Sequence, residues 1–199
     1  MPEQEGLRTE RRVGEDIAPI IPDIARLRIA VFREWPYLYA GEEAYERDYL
    51  GPYLGSPRAL AVVAYLGTRI VGVSTALPMA DEGEAFRQPF QAAGIDPREV
   101  FYFGESVLLP EFRGQGIGVR FFAEREDHAR SLGYRTAAFC AVERSPADPR
   151  MPKGYVPLED FWRKRGFHKS DITTTFNWKE IGEGVGTPKP MRFWLKDLR

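Results

Sequence analysis

Six residues, Arg113-Gly114-Gln115-Gly116-Ile117-Gly118, combine the types that bind a phosphate ester. They follow an apolar run from Tyr102 to Leu109 and precede a stretch that reads as helix from Ile117 to about Leu132. A strand that enters a helix through glycines leaves several backbone N–H groups unpaired at the helix start. With the positive end of the helix dipole, those groups form an anion site. Arg113 adds a planar, permanent cation suited to phosphate. The same glycines also suit an ordinary tight strand-to-helix turn, so spacing must decide.

Three glycine-rich patterns compete. The dinucleotide fingerprint G-x-G-x-x-G can start at Gly114 and Gly116, but its third place falls on Val119. That turn also lies early in its sheet, whereas this loop opens at residue 113. The P-loop must end in Gly-Lys-Ser/Thr, which is missing. The third pattern, Arg/Gln-x-x-Gly-x-Gly/Ala, fits Arg113, Gly116 and Gly118 without a gap. It is the pyrophosphate loop of the GNAT acetyltransferases, which this chain resembles. The flanks agree: Gly133 closes the helix as a C′ glycine, a strand follows from Arg135 to Val142, and Phe161-Trp162-Arg163-Lys164-Arg165-Gly166-Phe167 resembles the family's short last helix. The resemblance covers roughly residues 8 to 180 and is densest from 100 to 167.

The resemblance implies acetyl-CoA as donor. Its pantetheine arm would pair with free backbone groups of Ser106, Val107 and Leu108, and its pyrophosphate would sit on the N–H groups of Gly114, Gln115, Gly116, Ile117, Gly118 and Val119 beside Arg113. Pro110 suits the end of that strand because it has no N–H to give to a ladder. An N–H at Ser106 or Leu108 could also polarise the thioester carbonyl. The implied acceptor is a primary amine of a small molecule or peptide, attacking directly in a ternary complex. A free alkylammonium has a pKa near ~10.4 and must lose a proton first. A carboxylate commonly takes it. Glu105 is the candidate, as base, as anchor for the substrate ammonium, or as a structural ion-pair partner. Its parity is opposite to the Tyr102 and Gly104 places that carry the base elsewhere in the family, unless a bulge resets it.

Two other catalytic places differ from the family pattern. Cys140 stands where one branch has a glutamate, and it reads as a small buried hydrophobe. Trp162 stands where a tyrosine often returns a proton to the thiolate, and an indole N–H is no acid near neutral pH. Either the thiolate leaves unaided or another phenol serves. Tyr155 is the candidate, with surface packing as its alternative. Tyr37 and Tyr39 are expected to wall the acceptor site, and the segments 79–100 and 145–157 to cover its mouth. Asp81, Glu82 and Glu84 read as a solvated acidic run, and Glu124 to His128 as the solvent face of the long helix. Two other readings stay open: a CoA-binding module of this fold without catalysis, and a transferase for longer acyl chains.

The elements that must position these residues follow from periodicity. Leu7 to Val13 reads as a strand and Asp16 to Glu34 as a helix whose start Pro19 and Pro22 restrict. Glu42 to Leu50 is a second helix, and Leu60–Tyr65 with Arg69–Ala76 a hairpin. A short helix at Glu84 to Ala93 lies in the inserted segment. After the central strand, glycine loop and long helix come a short helix at Leu158 to Arg165, a strand at Phe167 to Trp178 and a last one at Met191 to Leu195. The expected fold is mixed α/β, a single GNAT domain over residues 1–199 with a mostly antiparallel sheet, splayed central strands and a C-terminal strand extension at 181–199.

Composition bounds the partners. The chain has 199 residues, 43% hydrophobic and 29% charged, and a net charge of −1. These are the values of an ordinary globular protein, and they give no basic stripe for nucleic acid. The single cysteine excludes an intrachain disulfide and suits a reducing compartment. Two histidines and one cysteine make a zinc site improbable, so no metal is expected. The polar first twelve residues do not read as a signal peptide and no apolar run is membrane-length, so a cytoplasmic monomer or homodimer is expected.

Overall fold

The computed structural model describes residues 6–199. Seven strands form one sheet in the order β1-β2-β3-β4-β5-β7-β6. They are β1 (Leu7–Val13), β2 (Leu60–Leu66), β3 (Arg69–Pro78), β4 (Val100–Leu108), β5 (Thr136–Val142), β6 (His168–Trp178) and β7 (Thr187–Asp197). Only β4 and β5 run parallel, and they pair only from Val100 to Tyr102 against Thr136 to Ala138. Beyond Tyr102 they part. The fold is the expected mixed α/β sheet, mostly antiparallel and open at its centre.

Helices cover both faces. α1 (Ile21–Phe32), α2 (Glu43–Gly55) and α3 (Glu84–Ala92) pack on one face, and α4 (Ile117–Ser131) and α5 (Glu159–Arg163) on the other. The first expected helix is divided. Residues Gly14–Ile20 form a 3-10 turn, and α1 starts at Ile21 with Pro22 in its first turn. Proline there costs no hydrogen bond and presets φ. α2 runs on to Gly55 through Pro52, and β7 is longer than the pattern predicted.

β2 and β3 are buried on both faces, with only Leu66 and Arg69 exposed at their shared turn. That is why they read as continuous apolar runs rather than alternating ones. The segment 79–100 is no simple flap. α3 lies on the sheet and buries Phe86 and Phe90 against Phe176 and Phe193, at ring separations of 4.6 and 4.9 Å. The 124–128 stretch is a solvent face only in part: Asp127 is exposed, but two of its charged residues are buried. Arg125 is 1% exposed and Glu126 7%. Arg125 lies over the rings of Phe103 and Phe122 and donates to the carbonyls of Phe121 and Thr75. Burial lowers its pKa to about 9. His128 is half-buried, edge-on to Phe101, with Nε2 3.1 Å from the Arg58 carbonyl oxygen.

Candidate active site

The glycine loop has the geometry its sequence implies. After β4, Pro110–Phe112 make a short 3-10 turn. Gly114 and Gly116 then adopt φ of +77° and +83°, which glycine reaches without strain. None of the six N–H groups from Gly114 to Val119 donates to an acceptor among the described residues. Gly116 caps α4 in the left-handed region, and no acidic side chain in the first turn competes for an anion. Arg113 is half-exposed beside them. It pairs with Glu34 at 3.0 Å, and its Nε donates to the Leu108 carbonyl at 3.1 Å. Gly118 serves a second purpose: a Cβ there would come within 3.3 Å of the Phe161 ring, so its bare backbone lets α5 close on α4.

β4 supplies the next part. Leu109 donates its N–H to Val71 on β3, which sets the phase of the ladder. In an antiparallel pair, alternate residues turn their backbone groups outward. Val107 therefore points its N–H to β3, while Ser106 and Leu108 turn theirs to the side that β5 has left. These free N–H groups form a row that leads to the glycine loop.

The bulge question has a direct answer. Ser74 pairs with Ser106, and Ala76 with Phe103. Thr75 is therefore opposed by two residues, Gly104 and Glu105. A bulge resets side-chain alternation. Before it, Val100 and Tyr102 face α1 and α2; after it, Val107 does, while Phe101 and Phe103 face α4. Glu105 thus lies on the same face as Tyr102. Gly104 is required there, because a Cβ would enter the Tyr53 hydroxyl and lie 2.6 Å from Thr75 Oγ1.

Glu105 is 3% exposed. Its Oε2 accepts from Arg28 Nη1 at 2.8 Å, and Arg28 Nε donates to Glu46 Oε2 at 2.6 Å. Arg28 itself is buried and lies 3.8 Å over the Tyr49 ring. One guanidinium thus serves two carboxylates. Glu105 Oε1 and Glu46 Oε1 are buried without a hydrogen-bond partner among the described residues. Burial raises the Glu46 pKa, and Arg28 opposes that rise.

Above Glu105 lies an open recess. α1 gives it Arg28 and Phe32, α2 gives Tyr45 and Tyr49, and the loop between them gives Tyr37 and Tyr39. Tyr102, Gly104 and Cys140 form its side toward the parting of β4 and β5, and Phe176, Trp178 and Met191 close it. The α1–α2 loop is pinned at three points. Ala40 donates to Lys179, Ile181 to Leu38, and Trp178 Nε1 to the Tyr37 carbonyl at 3.0 Å.

The two tyrosines expected as acceptor walls therefore both line the recess, with Glu105. Tyr155 does not: it stands edge-on to Trp35, half-buried, outside the lining. Cys140 Sγ lies 3.1 Å from the Tyr102 hydroxyl, and burial pushes its pKa up to about 12. A thiol so placed is not a nucleophile near neutral pH. Trp162, partly buried, packs on Phe139 and Trp194 at the edge of the core. The 145–157 segment is held to the end of β6 by Arg150, which with Arg144 pairs with Glu180 at 2.5 Å each.

Sequence reasoning missed Arg28, Glu46, Tyr45 and Tyr49, which helical spacing presents only as amphipathic faces. It also misjudged Glu82, which is not solvated. Glu82 is 6% exposed, and burial raises its pKa to about 8. No local signal marks it, because its burial comes from packing against distant elements.

Comparisons with known proteins agree with this geometry. The acetyltransferase (GNAT) family model matches residues 25–167. The comparison with curated proteins found no match. Among solved structures, the ribosomal-protein-alanine N-acetyltransferase of Brucella melitensis superposes with a TM-score of 0.60 at 15% identity, covering 94% of this chain and 99% of that one. An N-acetyltransferase of Staphylococcus aureus gives 0.60 at 14%, covering 96% and 99%. The yncA protein of Salmonella typhimurium, solved with its cofactor acetyl-CoA, gives 0.58 at 13%, covering 96% and 95%. At such identities the solved structures speak for the fold. No helix among the described residues is long and apolar enough to cross a membrane.

Proposed function

Because the chain belongs to the acetyltransferase (GNAT) family, we propose that it moves an acetyl group from acetyl-CoA to a primary amine by direct attack in a ternary complex, with Glu105 as the residue that receives the amine. The observation that carries this reading is the unpartnered, buried Oε1 of Glu105, a residue of the β4 bulge that lines the recess and directly precedes Ser106. An unsatisfied buried carboxylate oxygen costs about 1–3 kcal/mol or more, and a donor from an acceptor ammonium would remove that cost.

Acetyl-CoA, when bound, supplies an acetyl thioester. The free N–H groups from Gly114 to Val119 and the Arg113 guanidinium hold its pyrophosphate, and Ser106, Val107 and Leu108 guide its arm. The N–H of Ser106 or Leu108 stabilises the carbonyl oxygen as negative charge develops there. Glu105 Oε1 orients the ammonium and takes its proton, directly or through water. The amine nitrogen then forms the new N–C bond as the C–S bond breaks, and the nitrogen's second proton passes to the departing thiolate, directly or through solvent. Arg28 holds Oε2, so the carboxylate cannot rotate away from the acceptor. A thiol's ordinary pKa of about 8.5 makes the thiolate a good leaving group, so no protein acid is assigned and Tyr155 is given no step. The lone cysteine, Cys140, suits a reducing, cytoplasmic setting.

The test is CoA release across a panel of primary amines with wild-type protein and Glu105→Gln. The expected result is turnover by the wild type and at least a hundredfold loss of kcat/KM in the variant, steepest at low pH, with acetyl-CoA affinity unchanged. Wild-type rates and pH profile in Glu105→Gln would remove Glu105 from this role. Tight acetyl-CoA binding without turnover of any amine would make the protein a CoA-binding module.

A further inference from the structure

The recess also restricts which amine can enter, an inference that rests on the amine-transfer reading above. Eight of the thirteen residues that line it are aromatic. Phe32 and Tyr37 lie 4.4 Å apart, Tyr37 and Trp178 5.8 Å, and Tyr45 and Tyr49 are stacked at 6.1 Å. Phe176 closes the wall from β6, backed by Phe86 of α3 at 4.6 Å. These rings come from separate elements, yet they converge over one charged point, the Arg28–Glu105 pair. Among the described residues, Glu105 Oε1 is the one buried side-chain polar atom of the lining that has no hydrogen-bond partner. All of the lining phenols whose ionisation is shifted are pushed to higher pKa, mainly by burial, so they stay neutral. They offer hydroxyl edges and ring faces, not charge.

Such a lining asks for a ligand with a cationic nitrogen at one end and a flat apolar body at the other. Ring-to-ring contacts favour an aromatic body over an alkyl stem, since they add to simple area burial. The walls are also braced. Trp178 is fixed by its bond to the Tyr37 carbonyl, and Tyr39 by accepting the Glu42 N–H at 3.1 Å. A braced slot loses little on binding a rigid ring, whereas a flexible chain would lose rotamer freedom there. We infer that the acceptor is a small aralkylamine, a primary ammonium one or two carbons from an aromatic ring, seated with its nitrogen on Glu105 and its ring among Tyr37, Tyr45, Phe176 and Trp178.

The test uses three acceptors with acetyl-CoA: 2-phenylethylamine, n-hexylamine and Nα-acetyl-lysine amide. The expected result is a kcat/KM for 2-phenylethylamine at least tenfold above either of the others. Phe176→Leu and, separately, Tyr45→Leu should each cut that ratio at least threefold while acetyl-CoA affinity stays within twofold. An equal or higher kcat/KM for n-hexylamine or the lysine derivative overturns the inference and leaves the amine-transfer reading standing. Calorimetric binding of 2-phenylethylamine that is lost in Glu105→Gln, with no turnover of any of the three, would support the ligand class and sink the transfer reading. Neither binding nor turnover would overturn both.

Discussion

Replacing Gly104 by alanine tests the link between the β4 bulge and the acceptor site. A Cβ at this position meets the Tyr53 hydroxyl inside van der Waals contact and lies 2.6 Å from Thr75 Oγ1. Neither neighbour is a loose surface group. Tyr53 is 1% exposed, and its hydroxyl accepts from Thr75 Oγ1 at 3.0 Å. Overpacking of this kind costs about 1–3 kcal/mol. Separation of the Tyr53–Thr75 bond adds about 1 kcal/mol. Against this, alanine relieves about 0.5–1 kcal/mol of glycine's entropic cost. The net expectation is a loss of about 1–3 kcal/mol, a fall of roughly 1 M in the urea midpoint for m near 2 kcal/mol/M. The bulge also directs Glu105, so kcat/KM should fall about a hundredfold even well below the unfolding range, as a displacement of about 1 Å can do. Tyr53→Phe removes the hydroxyl that meets the new methyl. In the double variant, Gly104→Ala with Tyr53→Phe, at least 1 kcal/mol of the lost stability should return relative to the sum of the single changes. Equilibrium urea unfolding of the four proteins checks this. An unchanged midpoint in Gly104→Ala, or strict additivity in the double variant, would refute the steric account of the bulge.

Arg113→Ala should weaken acetyl-CoA binding about tenfold, or about 1.4 kcal/mol, in calorimetric titration. It should move stability by less than about 0.5 kcal/mol, because its pair with Glu34 is half-exposed on both sides. Unchanged affinity would remove the loop from CoA binding. Glu82→Gln should flatten the pH dependence of stability. The folded carboxyl titrates at about 8 against an ordinary 4.5, chiefly because it is buried. Its contribution is therefore fully present below about 4.5 and is lost as pH rises through 8. The difference corresponds to at most about 5 kcal/mol. Urea unfolding at pH 5, 7 and 9 should show the wild type weakening with pH and E82Q weakening less; equal slopes would contradict the assignment.

The proposed donor half of the site was legible in consecutive residues. Arg113 to Gly118 form one loop-to-helix junction, and the role proposed for them depends on local backbone geometry: free N–H groups, left-handed glycines and a helix start. Those properties are set by neighbours in sequence, so counting along the chain was enough. The same locality explains why the strands and the long helix fell near their expected bounds, and why the family resemblance was densest there.

The acceptor half was decided by tertiary structure. Glu105 had the wrong parity on a regular strand, and only the pairing of β3 with β4 introduced the bulge that turned it to the recess. Its partner Arg28 is 77 residues away, on a helix whose apolar spacing gave no hint of a buried cation. Glu82 and Arg125 looked like surface charge because hydropathy sees the residue type, not the elements that later cover it. Tyr37 and Tyr39 could be named from sequence, but Tyr45, Tyr49 and Phe176 become one wall only when α2 and β6 meet over β4. The loop's backbone geometry was readable from the chain alone, since the proposed anion site is made by one short segment. The folded sheet alone decided what faces that site, since burial, ion pairing and side-chain direction are set by contacts among elements far apart in the chain.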